Sequence, residues 1–90
     1  MPYIKMERRE DIDGHLEPLV DCLRGMGWVA GDLNYVISML CISDADDNTC
    51  YDNLNKIIGV LEAAKAEFYR TVVAPYEDIK ITENGDLEPL

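Results

Sequence analysis

Ninety residues, 48% of them hydrophobic and 29% charged, describe one small globular domain rather than a disordered chain. Eighteen acidic residues against eight basic ones give a net charge of −10. That charge excludes general affinity for DNA or RNA, which needs a basic face. The acid is spread along the chain and not held in a tail. No apolar run approaches the roughly 18 residues of a membrane span. The start, "MPYIKMERRE", has no apolar core of a secretion signal, so a cytoplasmic protein is expected. Three cysteines, Cys22, Cys41 and Cys50, form an odd set without a C-x-x-C pair. In a reducing compartment they read as buried thiols.

The first helix is expected from near Gly14, because Pro18 is tolerated only in a first turn. Asp11 or Asp13 would cap it. Leu16, Leu19, Val20 and Leu23 repeat at helical spacing and make one apolar face. "RGMGW" supplies two glycines for a left-handed exit. A second helix follows Gly31, with Asp32 in or beside its first turn, where a carboxylate suits the positive helix end. Its face is Leu33, Val36, Ile37 and Leu40, extended by Cys41, and it stops at the polar stretch "SDADDN".

The third helix carries the clearest pattern. Thr49 and Asp52 resemble a capping box, and Leu54, Ile57, Ile58, Leu61, Ala64, Phe68 and Val72 follow in one stripe. Pro75 disfavours helical geometry at Ala74, so the chain kinks there or restarts with Pro75 opening a short helix. Asn84-Gly85 then reads as a left-handed helix stop, with a hairpin between "IKIT" and "DLEP" as the alternative. The expected fold is all-α, a small bundle of three main helices in a single domain spanning residues 1–90. A small core beside one overlong apolar stripe implies a homo-oligomer.

Catalytic patterns are missing. His15 is the one histidine and has no companion ligand at helical spacing. No glycine elbow surrounds Ser38 or Ser43, and no phosphate-binding glycine loop occurs. "CISDADDNTC" places Asp44, Asp46 and Asn48 at the first positions of a calcium loop. Thr49 and Asn55 then stand where the loop needs Gly and Glu. Neither an enzyme nor a metal or other cofactor is expected.

What remains is the cluster around Pro75. Tyr69, Arg70 and Tyr76 are the parts that stack a base and pair with a phosphate. They are equally the parts that close a helix terminus. Asn34 and Tyr35 join either arrangement.

The stretches "YIKMERRE", "GDLNYVIS" and "IGVLEAAKAEFYRTVVAPYEDIKITENGD" resemble a family of small uncharacterised proteins of bacterial and phage genomes. Its pattern runs YIK-x-E-R, then G-[ED]-L-N-Y, then E-F-Y-R-x-V-V-x-P-Y-E-D and E-N-G-D. The resemblance spans nearly the whole chain. It implies that Asn34, Tyr35, Glu67, Tyr69, Arg70, Pro75, Tyr76 and Glu77 belong to a shared pattern, and it implies no activity. "CISDADDNTC" lies outside that pattern.

Two functional readings follow, neither catalytic. In the first, an oligomeric helical module takes a small anionic nucleotide at Asn34, Tyr35, Tyr69, Arg70 and Tyr76, in the manner of phage counter-defence sponges that sequester immune signals. In the second, an acidic adaptor or inhibitor meets a basic protein partner, imitating nucleic acid. Neither requires direct nucleic-acid or membrane contact.

Overall fold

The computed structural model of the chain describes residues 3–89. It is all-α, with α1 (Met6–Met26), α2 (Ala30–Asp47), α3 (Tyr51–Phe68), a π-turn (Tyr69–Val73) and α4 (Ala74–Asn84). The last three form one helical run of 34 residues, so the protein has three helices, the third long and kinked. Two compact units divide the chain, Met1–Ile57 and Ile58–Leu90.

In the first unit, α1 begins at Met6, well before Gly14, and Pro18 lies inside it. The expected caps Asp11 and Asp13 are therefore interior residues, and Lys5 takes the cap position without a side-chain bond. Pro18 leaves the Gly14 carbonyl without its helical donor. Gly14 is exposed, and the helix continues through Pro18. Arg9 Nε donates to the Ile4 carbonyl at 2.8 Å and fastens the incoming chain. The exit is the expected glycine stop: Gly27 sits at φ 92°, and the Gly27 and Trp28 N–H groups donate to the Arg24 and Leu23 carbonyls.

α2 starts at Ala30. Asp32 acts as foreseen at its positive end, its Oδ2 accepting the Val29 N–H at 3.2 Å. The helix runs on through "SDADD" to Asp47, so the turn is shorter than the polar stretch suggested. Ser43 Oγ donates to the Met39 carbonyl at 2.8 Å, which lets a serine continue the helix. Thr49 does not cap α3. Its hydroxyl donates back to the Ala45 carbonyl at 2.7 Å, closing α2 instead.

The corner between α2 and α3 is a polar joint. Asn53 is buried at 7% exposure, and its Nδ2 donates to the Asn48 carbonyl (2.8 Å), the Asp44 carbonyl (3.2 Å) and Asp44 Oδ1 (3.1 Å). Lys56 Nζ donates to both Asp44 oxygens at 3.2 and 3.0 Å. The bonds from Lys56 and Asn53 hold the Asp44 carboxyl below its ordinary pKa. They also offset a carboxylate in the last turn of α2, where the helix end is negative.

Apolar burial is sparse. Among the described residues Leu23, at 7%, is the one buried apolar side chain. The α1 face becomes more covered toward it, from exposed Leu16 through half-buried Val20. Cys22 and Cys50 are exposed and Cys41 is half-buried, against the expectation of buried thiols. In the second unit, α4 ends at the foreseen stop, with Gly85 at φ 88° and its N–H donating to the Ile81 carbonyl at 2.8 Å.

Asn53→Ala removes the donor that the Asp44 and Asn48 carbonyls share, at a cost of about 1 kcal/mol. Thermal unfolding followed by circular dichroism is expected to fall by about 4–8 °C for each kcal/mol in a chain of this size. An unchanged midpoint would show that the joint contributes nothing.

Candidate functional site

The site begins with what Pro75 lacks. Without an N–H, it leaves the Thr71 carbonyl unpaired, and its ring crowds that carbonyl. The chain answers with a wider turn over Tyr69–Val73, in which the Ala74 N–H donates to the Tyr69 carbonyl, five residues back. Thr71 Oγ1 donates to the Glu67 carbonyl at 2.7 Å within the same stretch. Pro75 itself sits in the opening turn of α4, and Ala74 keeps helical geometry, so the helix kinks and runs on and does not restart.

The wide turn changes which side chains share a face. In an unbroken α-helix, residues eight apart differ by about 80° around the axis. A π-turn sets the register back by about one residue, or about 100°, so that Tyr69 and Glu77 align to within about 20°. The Tyr69 hydroxyl donates to Glu77 Oε1 at 2.5 Å. That bond, with the charge of Glu77 and then of Asp78 nearby, pushes the Tyr69 phenol above its ordinary 10.0.

Around this pair lies an open groove of 460 Å³. Ala74, Ile81 and Leu87 give it an apolar lining, and Glu77, Asp78, Asp86 and Lys80 are its charged residues. Three carboxylates to one ammonium make the groove electronegative. The chain after Gly85 supplies one wall, where the Leu87 N–H donates to Asp86 Oδ1 at 2.6 Å.

Of the residues selected from sequence, Tyr69 lines this groove. Arg70 forms an ion pair with Glu67, one helical turn earlier. Tyr76 lies exposed, with the Lys80 ammonium 5.5 Å from its ring centre, and Lys80 also pairs with Glu83 at 3.1 Å. Tyr69, Arg70 and Tyr76 thus each engage a neighbour on their own helical run. Asn34 and Tyr35 stand exposed on α2, in the unit Met1–Ile57. Glu77, Asp78 and Lys80 were not among the residues selected as the site, although Glu77 belonged to the shared pattern and Pro75 was read as turning all three back towards the face of Tyr69. Among the described residues no group of three or more His, Cys, Asp or Glu side chains is placed to hold a metal ion. Asp44, first in the calcium-loop pattern, is engaged by Lys56 and Asn53.

The model of a protein family described as Domain of unknown function (DUF6899) matches residues 1–87. The chain belongs to this family. The match takes in all three helices and every residue of the groove, Leu87 being its last. No curated protein and no solved structure matches the chain.

The Tyr69 phenol is a donor only while protonated. Its bond to Glu77 is therefore intact at neutral pH and is lost as pH rises through the raised pKa, above 10.0. Ultraviolet difference titration should show one of the five tyrosines ionising later than the rest. Tyr69→Phe should delete that late step. A late step that persists in the variant would assign the shift to another tyrosine.

Proposed function

We propose that this DUF6899 chain acts by binding and not by catalysis, and that its groove takes a cationic segment of a protein partner. The observation that carries this reading is the sign of the groove. Glu77, Asp78 and Asp86 surround an apolar lining of Ala74, Ile81 and Leu87, with Lys80 as the opposing charge. A lysine or arginine side chain has the matching form: an aliphatic stem for the lining and a cation for the carboxylates. Tyr69 supports it, because its hydroxyl fixes Glu77 in place on the groove wall. The net charge of −10 would draw a basic partner in from a distance.

The test is fluorescence anisotropy of a labelled lysine- and arginine-rich peptide. Affinity for the wild-type chain is expected to fall about tenfold or more between about 50 mM and about 500 mM salt. Glu77→Gln with Asp78→Asn should abolish binding, and Glu10→Gln with Asp11→Asn on α1 should leave it intact. Equal loss in both double variants would reduce the effect to net charge and remove the groove from the account.

One observation favours a second reading. The Arg70 side chain is 65% exposed although paired with Glu67, and Tyr76 is exposed close by in sequence. A guanidinium and an aromatic ring are the groups that suit a small anionic nucleotide, as in a phage counter-defence sponge, provided Arg70 exchanges Glu67 for phosphate. Native mass spectrometry of gently purified protein should then show a nucleotide-sized extra mass that Arg70→Ala loses while staying helical. Protein without extra mass would sink this second reading and leave the first untouched.

A further inference from the structure

Lys80 stands between two carboxylates at helical spacing, Glu77 three residues before it and Glu83 three residues after. On an isolated helix the better partner is the carboxylate on the N-terminal side. The structure shows the other choice. Lys80 Nζ donates to Glu83 Oε2 at 3.1 Å and lies 5.5 Å from the centre of the Tyr76 ring, one turn back. Glu77 Oε1 accepts the Tyr69 hydroxyl instead.

The two partners of Lys80 share one side of α4. At about 100° per residue, Tyr76, Lys80 and Glu83 fall within about 60° of one another. Ala74, Glu77, Ile81 and Asn84 fall within about 80° of one another on the adjoining side, and all four line the acidic groove. Lys80 lines it too, while Tyr76 and Glu83 do not. The stem of Lys80 thus stands at the edge of the groove, and its ammonium is drawn to the outer side. A flexible four-carbon stem can serve either side. An ammonium that swung inward would meet Glu77, Asp78 and Asp86 and cancel part of their charge. Every residue involved belongs to the unit Ile58–Leu90.

We propose that Tyr76 and Glu83 are positioning residues that hold the Lys80 ammonium on the outer side of α4 and keep the chain's own cation from filling the groove. The proposal rests on the reading of the groove as a site for a partner's lysine or arginine. Either contact alone is weak at a surface, so retention needs both. Tyr76 thereby serves the groove without touching what binds there, and the Glu77 and Asp78 carboxylates stay open to a cation that the partner brings.

Nuclear Overhauser contacts of the Lys80 ε-methylene, measured on the full chain at neutral pH without ligand, test the retention. In the wild type they are expected to reach the Tyr76 ring. In Tyr76→Leu with Glu83→Gln they should reach the Tyr69 ring. Anisotropy with a labelled lysine- and arginine-rich peptide tests the consequence. The same double variant should bind about fivefold more weakly than wild type, as when a competing state holds the site about four-fifths of the time. Adding Lys80→Met should restore at least wild-type affinity. Adding Lys65→Met, which removes the same charge from α3, should not. Should the variants lose helix, the wild-type contacts decide. A wild-type Lys80 without contact to the Tyr76 ring, a double variant in which it stays clear of Tyr69 or binds undiminished, or equal rescue by Lys65→Met would each overturn the proposal, and peptide binding by the wild type would still uphold the groove. A wild type that binds no peptide while the contacts move as expected would instead remove the cation-site reading and uphold the retention of Lys80.

Discussion

The amide of Asn53 holds the end of α2 against the start of α3, and the unit Met1–Ile57 depends on that joint. A carboxylate-rich C-terminus is a poor way to end a helix, because the carbonyls there are already negative. Asp44, Asp46 and Asp47 nonetheless lie within the closing turns of α2. The joint resolves this with donors from the next helix: Asn53 supplies its amide and Lys56 its ammonium, both to Asp44. With Leu23 the single buried apolar side chain among the described residues, the geometry of this corner rests on directional polar bonds more than on packing.

A comparable role in the second unit belongs to a missing donor. Pro75 removes one N–H, and the helix responds by widening for five residues instead of ending. The rotation that follows lays Glu77 beside Tyr69 and sets the lining of the groove. A substitution that restored regular helix there would turn the two side chains away from each other without altering either.

The distribution of acid gives these parts a common logic. Carboxylates occupy α1, both ends of α2 and separate positions along the third helix, and they leave Leu33–Ser43 clear.

Helix existence and helix endings were readable from the residues, since each depends on groups within about four positions of one another. Gly27 and Gly85 end helices by adopting positive φ, Asp32 fastens the start of α2, and Pro75 disturbs the third helix where the chain says it must. The failures share a cause as well. Pro18 was assigned to a first turn because its lost hydrogen bond was the visible cost, yet α1 carries it inside. Thr49 had the spacing of a cap, but the competing Ala45 carbonyl lay on the other side of a turn. Tyr69 was singled out for its chemistry, while Glu77, eight residues on, became its partner only through a change in helical pitch. The sequence by itself determined three helices, the glycine stops of the first and third, and the place of the break, all from local backbone chemistry. Only the tertiary structure decided the Asp44–Asn53–Lys56 joint, the facing of Tyr69 and Glu77, and which apolar faces stay in water, because these depend on groups brought together across a turn and on the neighbours a helix does not have.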